Sequence, residues 1–265
     1  MKAIILSAGQ GSRLLPMTQS VPKCCLMLNG KTLLGRQIES LAANGVDDIV
    51  VVTGFNHHIV ENVINRIRIP GVSVRTLYNP FYAVADNLGT CWVARDEMSG
   101  PFLLLNGDTL FESSTLAKLL SSERIFPITL AVDRKGDYDA DDMKISANGE
   151  QLNRVGKKLD MDIVNGESIG MMIFNRSGAT AFVKKVERLM STPEGLTRWY
   201  LSAIDEMAVA GLVGVSSIQG HDWCEVDDLA DFTHAEKAVR NWPNPAIDRV
   251  LNISNRSEGF RRKVA

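Results

Sequence analysis

Up to Leu105, short apolar runs alternate with stretches whose apolar residues recur at helical spacing. Residues 2–8 (KAIILSA), 48–53 (DIVVVT), 72–78 and 102–105 read as strands. Between them, 32–44 carries Leu33, Leu34, Ile38, Leu41 and Ala42 on one helical face, with Gly45 placed to end the helix. Residues 58–67 repeat the pattern with Ile59, Val60, Val63, Ile64 and Ile67, and 88–98 reads as a third helix. Strands that are apolar on both faces and separated by helices belong to a parallel sheet covered on both sides, an α/β fold.

The second half changes character. Residues 134–142 are polar and read as a mobile loop. Residues 143–146 and 152–155, around an Asn148-Gly149 turn, read as a β-hairpin. A core strand is expected at 169–174, helices at 177–190 and 197–210, strands at 212–218 and 222–226, and a helix at 229–240 before Pro243 and Pro245. No internal repeat or long linker interrupts the chain. One domain over 1–240 with a tail over 241–265 is therefore expected.

Composition excludes several classes. The 265 residues are 45% hydrophobic and 23% charged, ordinary values for a globular chain, and the net charge of −2 offers no basic field for nucleic acid. Only the tail from Ser254 is basic, with Arg256, Arg261, Arg262 and Lys263 against Glu258, and it reads as a solvated end. Cys24, Cys25, Cys91 and Cys224 form no C-x-x-C pair and read as reduced thiols of a cytoplasmic protein. The apolar start is too short for a signal peptide, and no stretch reaches the roughly 18 apolar residues of a membrane span.

In an open α/β sheet, ligands bind beyond the carboxyl ends of the strands. What stands there is informative. Gly9-Gln10-Gly11-Ser12-Arg13 follows the first strand, and Pro22-Lys23 comes shortly after, with no acid between Gln10 and Lys23. Glycines allow a tight turn whose backbone N–H groups can face an anion, and the two cations add charge. The loop lacks the Walker A spacing, and Leu14 stands where a dinucleotide fingerprint needs its third glycine, which argues against an NAD-dependent oxidoreductase. Asp108 ends the apolar run FLLLNGD, where a turn or cap role competes with metal binding. Asp227 follows another short strand, with Glu225 on the same face by alternation, and either Asp227 or Asp228 is placed to cap the next helix. Two carboxylates from distant segments suit Mg²⁺, which takes one or two of them plus phosphate oxygens and water. The histidines, His57, His58, His221 and His234, assemble no triad by sequence.

Taken in order, Gly9-x-Gly11-x-Arg13, Pro22-Lys23, Leu105-Asn106-Gly107-Asp108 and Trp223-x-Glu225-x-Asp227 resemble the nucleotidyltransferase superfamily that activates sugar phosphates and alcohol phosphates. The resemblance covers roughly residues 2–240. It implies a Rossmann-like, mainly parallel mixed sheet with a small acceptor-binding β-hairpin, and Mg²⁺-dependent transfer of NMP from an NTP with release of pyrophosphate. Asp142-Met143-Lys144, Gly156-Lys157 and residues 166–170 (GESIG) look like the minimal phosphocholine, inositol-phosphate or phosphonate cytidylyltransferases, and Cys24-Cys25 departs from the family's usual Pro-Leu or Ala-Leu.

The resemblance makes Arg13, Lys23, Asp108 and Asp227 the catalytic set, the two aspartates holding the metal. It assigns Leu6, Ala8, Gly9, Gly11, Ser12, Arg13, Lys23, Asn87, Gly89 and Thr90 to the nucleotide, and Lys144, Lys157, Glu167 and Tyr200 to the acceptor. Tyr82, Trp199, Tyr200 and Trp223 are candidates to cage a cationic head group. The expected partners are an NTP and a small phosphorylated or phosphonate acceptor, with a homodimer kept open. The alternatives are a sugar-1-phosphate enzyme using UTP, dTTP or GTP, and a non-catalytic nucleotide sensor.

Overall fold

A computed structural model describes residues 1–243 and Pro245. Its strands are β1 (Lys2–Ser7), β2 (Met27–Leu28), β3 (Lys31–Thr32), β4 (Asp48–Thr53), β5 (Ser73–Tyr78), β6 (Phe102–Asn106), β7 (Thr109–Phe111), β8 (Ile128–Asp133), β9 (Lys144–Asn148), β10 (Gln151–Gly156), β11 (Gly166–Phe174), β12 (Val213–Ser217) and β13 (Trp223–Glu225). Its helices are α1 (Leu33–Ala43), α2 (His57–Ile64), α3 (Asn87–Val93), α4 (Ser113–Ser121), α5 (Arg176–Met190), α6 (Tyr200–Val209) and α7 (Leu229–Asn241).

Nine strands form the main sheet in the order β5-β4-β1-β6-β11-β8-β12-β10-β9. β5, β4, β1 and β6 run parallel, joined by helical crossovers, and β12 runs parallel to β8. The remaining pairings, those of β11 with β6, β8 and β9 and those of β10, are antiparallel. The sheet is thus mixed, parallel in its first half and mostly antiparallel in its second.

Strand alternation explains why helices cover both faces. Ala3, Ile5, Ile49, Val51, Leu103 and Leu105 pack with Leu34, Ile38 and Leu41 of α1, Val60 of α2 and Leu116 of α4. Ile4, Val50, Val52, Phe102 and Leu104 pack on the other face with Leu88 of α3, Phe182 of α5 and Ile204 of α6. Leu6 is level with Asn106 across the β1–β6 ladder, and Ser7 with Thr53 across β1–β4, so the loops after β1 and β6 leave the sheet side by side.

Several expected boundaries move. The strand expected at 169–174 begins at Gly166, the helix over 88–98 breaks after Val93 into a 3₁₀ turn, and the one over 197–210 starts at Tyr200. The stretch 109–133, left without elements by pattern, contains β7, α4 and β8. α4 announces itself poorly: Glu112 at its N-cap makes no side-chain cap bond, and its first turn carries no acid. The Asn148-Gly149 turn stands, with Gly149 at φ 58° joining β9 to β10. All four cysteines are free and buried. Among the described residues, no helix is long and apolar enough to cross a membrane. The basic tail from Ser254 lies outside the described residues.

Candidate active site

Two cations and two carboxylates interlock at the carboxyl rim of the sheet. Lys23 Nζ lies 2.9 Å from Asp108 Oδ2 and 2.8 Å from Asp227 Oδ1, bridging acids far apart in sequence. Arg13 sets Nη2 2.8 Å from Asp227 Oδ2 and Nη1 3.1 Å from Asp141 Oδ2, on the loop before β9. Lys157 extends this chain of ion pairs, its Nζ 2.9 Å from Asp141 Oδ1. Burial alone would lower the Lys23 pKa; Asp108 and Asp227 outweigh it and raise it, so the ammonium keeps its proton. Burial would raise Asp227, but Lys23 and then Arg13 hold it below the ordinary carboxylate value.

The local sequence accounts for this geometry. Gly11 sits at φ 80°, and a Cβ there would come within 2.8 Å of Lys23 Cβ, so glycine provides both the left-handed turn and the passage for the lysine. Among the described residues, the backbone N–H groups of Gly9, Gln10 and Gly11 have no hydrogen-bond partner, which leaves them free for an anion. Thr18 Oγ1 donates to the Gly11 carbonyl (2.8 Å), holding the loop against the segment that leads to Lys23.

Asp108 lies in the turn between β6 and β7. Gln37, buried on α1, donates Nε2 to the carbonyls of Asn106 (2.9 Å) and Thr109 (2.7 Å), pinning that turn from both sides. A Cβ on Gly107 would come within 2.5 Å of the Leu6 carbonyl, so the turn rests directly on β1. β13 then pairs antiparallel with β7, with Glu225 opposite Thr109, which delivers Glu225 and Asp227 beside Asp108. Asp228 caps α7, accepting from Ala230 N and Asp231 N, and Asp231 reciprocates in a capping box. Asp227 is thereby free to face the cations.

Two adjoining chambers open at this rim. The first, about 200 Å³, is lined by Leu6, Ser7, Gly9, Gly11, Lys23 and Cys24, with Gly107 and Asp108 at its floor. The second, about 210 Å³, is walled by Arg13, Asp141, Met143, Lys157, Trp199 and Glu225, with Asp227. Asn87, Asn106 and Asp108 border both. β11 lines the second chamber with Ser168 and Gly170: its pairing with β8 shifts register between Ser168 and Met172, and Gly170 takes φ 69° where a Cβ would come within 2.4 Å of Asn106 Nδ2.

Other expected residues stand elsewhere. Lys144 is buried, and its ammonium donates to the carbonyls of Asp139, Asp142 and Lys157, so it ties a loop to a hairpin and faces no acceptor. Glu167 is buried beside Lys135 (3.1 Å) at the base of the same loop. Tyr200 is fully buried and works from behind, its hydroxyl donating to Asn106 Oδ1 (2.8 Å) while its backbone N–H donates to Asn87 Oδ1. Thr90 accepts from Asn79 Nδ2, and Gly89 packs α3 closely against Ala85; neither lines a chamber. Ser12 is exposed beside the loop, and the Ala8 carbonyl is taken by Phe55 N–H. Of the aromatic candidates, Trp199 alone borders the second chamber, with Lys157 Nζ 5.2 Å from its ring centroid. Trp223 donates instead to Asp133 (2.8 Å), and Tyr82 packs against Phe55.

Glu225 and Gln37 matter more than their local sequence announces. Gln37 was visible as the one amide inside the apolar stripe of α1. Burial first, then the neighbouring Asp108 and Asp227, push Glu225 up to about 8. Asp108 Oδ1 is buried without a hydrogen-bond partner. An orphaned carboxylate oxygen, and acids crowded enough to keep a proton, have the chemistry to accept a cation. Among the described residues, no three His, Cys, Asp or Glu side chains cage an ion by themselves. A divalent metal fits here through Asp108 and Asp227, completed by ligand oxygens and water.

The rim thus gathers free backbone N–H groups, a lysine shared by two carboxylates and two adjoining chambers in one place. Residues 3–171 match the MobA-like NTP transferase domain, and the chain belongs to that family. It is 23% identical to CTP:phosphoglutamine cytidylyltransferase of Campylobacter jejuni over 255 residues, covering 88% of this chain and 98% of that protein. It is 22% identical to choline-phosphate cytidylyltransferase of Streptococcus pneumoniae over 247 residues, covering 91% and 99%. A shorter match, 31% identical over 115 residues, joins 42% of this chain to 31% of the mannose-1-phosphate guanyltransferase of Schizosaccharomyces pombe. The fold is that of the inositol-1-phosphate CTP transferase from T. maritima, with a TM-score of 0.76, 24% identity, and coverage of 91% of this chain and 96% of that one.

Proposed function

We propose that the protein transfers CMP from CTP to a small phosphorylated or phosphonate acceptor, releasing pyrophosphate, with Mg²⁺ as cofactor. The observation that carries this reading is Lys23 Nζ, held between Asp108 and Asp227 where the two chambers meet. The full-length cytidylyltransferase relatives favour CTP over other triphosphates.

The acceptor needs no general base. A phosphate monoester has its second pKa near 6, so it arrives largely as a dianion at neutral pH. One of its oxygens attacks the α-phosphorus as the bond to the β-phosphate oxygen breaks, and pyrophosphate leaves in line. What the chain must supply is alignment and charge neutralisation. Backbone N–H groups of residues 9–11 hold the triphosphate, and Arg13 neutralises the β- and γ-phosphates. Lys23, always protonated, stands between donor and acceptor, where two anions must approach. Lys157 holds the acceptor from the far side of the second chamber. Asp108 and Asp227 would hold Mg²⁺, which would supply electrostatic stabilisation of the charge on the phosphoryl oxygens. Asn87, braced by Tyr200 of α6, and the Leu6 and Gly9 backbone line the first chamber and serve base and ribose recognition in this reading.

The shorter match to a mannose-1-phosphate enzyme favours a second reading, a sugar-1-phosphate nucleotidylyltransferase using UTP, dTTP or GTP. A matrix of CTP, UTP, dTTP and GTP against choline phosphate, inositol phosphate, aminoalkylphosphonates and hexose 1-phosphates, read by pyrophosphate release, decides between them. Turnover is expected with CTP and a non-sugar acceptor. Tight nucleotide binding with no turnover for any pair would replace both readings with a sensor.

A further inference from the structure

Cys24 and Cys25 follow the catalytic lysine directly, and no step of the transfer uses them. Both are buried, and their Sγ atoms stand 4.0 Å apart. Cys24 nevertheless forms part of the first chamber's wall, beside Gly9, Gly11 and Lys23. Cys91 on α3 and Cys224 on β13 have no sulfur neighbour among the described residues.

The pair is poorly built to close on itself. Consecutive residues across a trans peptide have Cα atoms about 3.8 Å apart, whereas a disulfide usually takes about 4.4–6.8 Å. The turn is also fixed, by Cys25 N donating to the Pro22 carbonyl (2.8 Å) and Leu26 N to the Lys23 carbonyl (3.0 Å). Forming a direct S–S bond would have to work against those contacts. A single soft atom placed between the sulfurs spans the gap without collapsing the turn. Four-coordinate zinc is a poor fit, since no further Cys, His or carboxylate joins the pair among the described residues.

We propose that Cys24 and Cys25 are a two-sulfur binding site for a soft thiophilic electrophile, of which a trivalent arsenical R–As=O is the representative class, with Cys24 in the wall of the nucleotide chamber and Cys25 behind it. Two S–H bonds break, two As–S bonds form, and the arsenic-bound oxygen leaves as water with the two thiol protons. Arsenic stays trivalent, so no oxidant or reductant is consumed. Because the site shares a wall with the chamber, its occupancy and nucleotide binding oppose each other; this clause rests on the function proposed above, whereas the two-sulfur site does not.

Intact-protein mass spectrometry with phenylarsine oxide tests it. One adduct per chain is expected, surviving excess monothiol and removed by 2,3-dimercaptopropanol. It should vanish in Cys24→Ala and Cys25→Ala, and persist in Cys91→Ala and Cys224→Ala. Saturating CTP with Mg²⁺ should slow its formation at least tenfold. Serine variants of the same pair, with thermal unfolding as a check on folding, guard against loss of structure in the alanine variants. A stable adduct that persists when either Cys24 or Cys25 is replaced overturns the site. Equal adduct rates with and without bound CTP overturn the opposition to nucleotide. If calorimetry finds no nucleotide binding to the untreated protein, the function reading falls, and the mass experiment still decides the dithiol site.

Discussion

Lys23 is the residue on which the site turns, because one ammonium neutralises two acids and, in the proposed transfer, stands between donor and acceptor. Lys23→Ala and Asp108→Asn are each expected to lower turnover more than a hundredfold with an unchanged far-UV circular dichroism spectrum; wild-type-like rates in both would refute the assignment. Gly11→Ala tests the route the lysine takes. The added Cβ meets Lys23 Cβ at 2.8 Å at a positive φ, so kcat should fall at least tenfold even though no charge is removed. Much at this scale was legible in the sequence. Asp108 and Asp227 end apolar strands, and the fold class puts strand ends at the rim. Lys144, Glu167 and Tyr200 were misplaced because nothing in a residue's immediate neighbours says whether its polar tip points into a chamber or into the protein. Tyr200 does its work from behind Asn106, a contact between positions 94 apart in sequence.

At the scale of elements, the short β13–β7 ladder does what neither strand could do alone. It closes about a hundred residues of chain so that Glu225 and Asp227 arrive beside the Asp108 turn. α1 then fixes that turn through Gln37. Replacing Gln37 by leucine strands the carbonyls of Asn106 and Thr109, and should cost about 1–3 kcal/mol in urea unfolding. It should also reduce kcat severalfold, because Asp108 loses its anchor; an unchanged kcat in a destabilised protein would confine Gln37 to structure. Strands β1, β4 and β6 and helix α1 could be read from pattern, since apolar runs and helical spacing are local. The register shift in β11 beside the second chamber could not, because it depends on which strands flank it.

At the scale of the whole molecule, stability couples to protonation through Glu167. Burial pushes its pKa to about 7 from an ordinary 4.5, although Lys135 opposes the rise. The folded state therefore holds a proton that the unfolded chain releases, and stability falls as pH rises from about 4.5 toward 7. Urea unfolding at pH 5 and pH 7.5 should show this fall in the wild type and a smaller one in Glu167→Gln. Equal slopes would mean that Glu167 ionises normally.

Asp141 gives the cleft a further property. In the free protein its carboxylate, largely exposed, is held by both Arg13 and Lys157. An incoming oxyanion therefore competes with a tethered one, and its apparent affinity is its intrinsic affinity multiplied by the fraction of molecules in which the tether has let go. Asp141→Asn should raise that fraction: in the proposed transfer the KM for acceptor, through Lys157, and the KM for CTP, through Arg13, both fall severalfold, kcat holds, and the dependence of KM on salt weakens. The same loop that furnishes the second chamber thus weakens binding of an incoming anion by a constant factor at every concentration, because the protein's own anion must leave first.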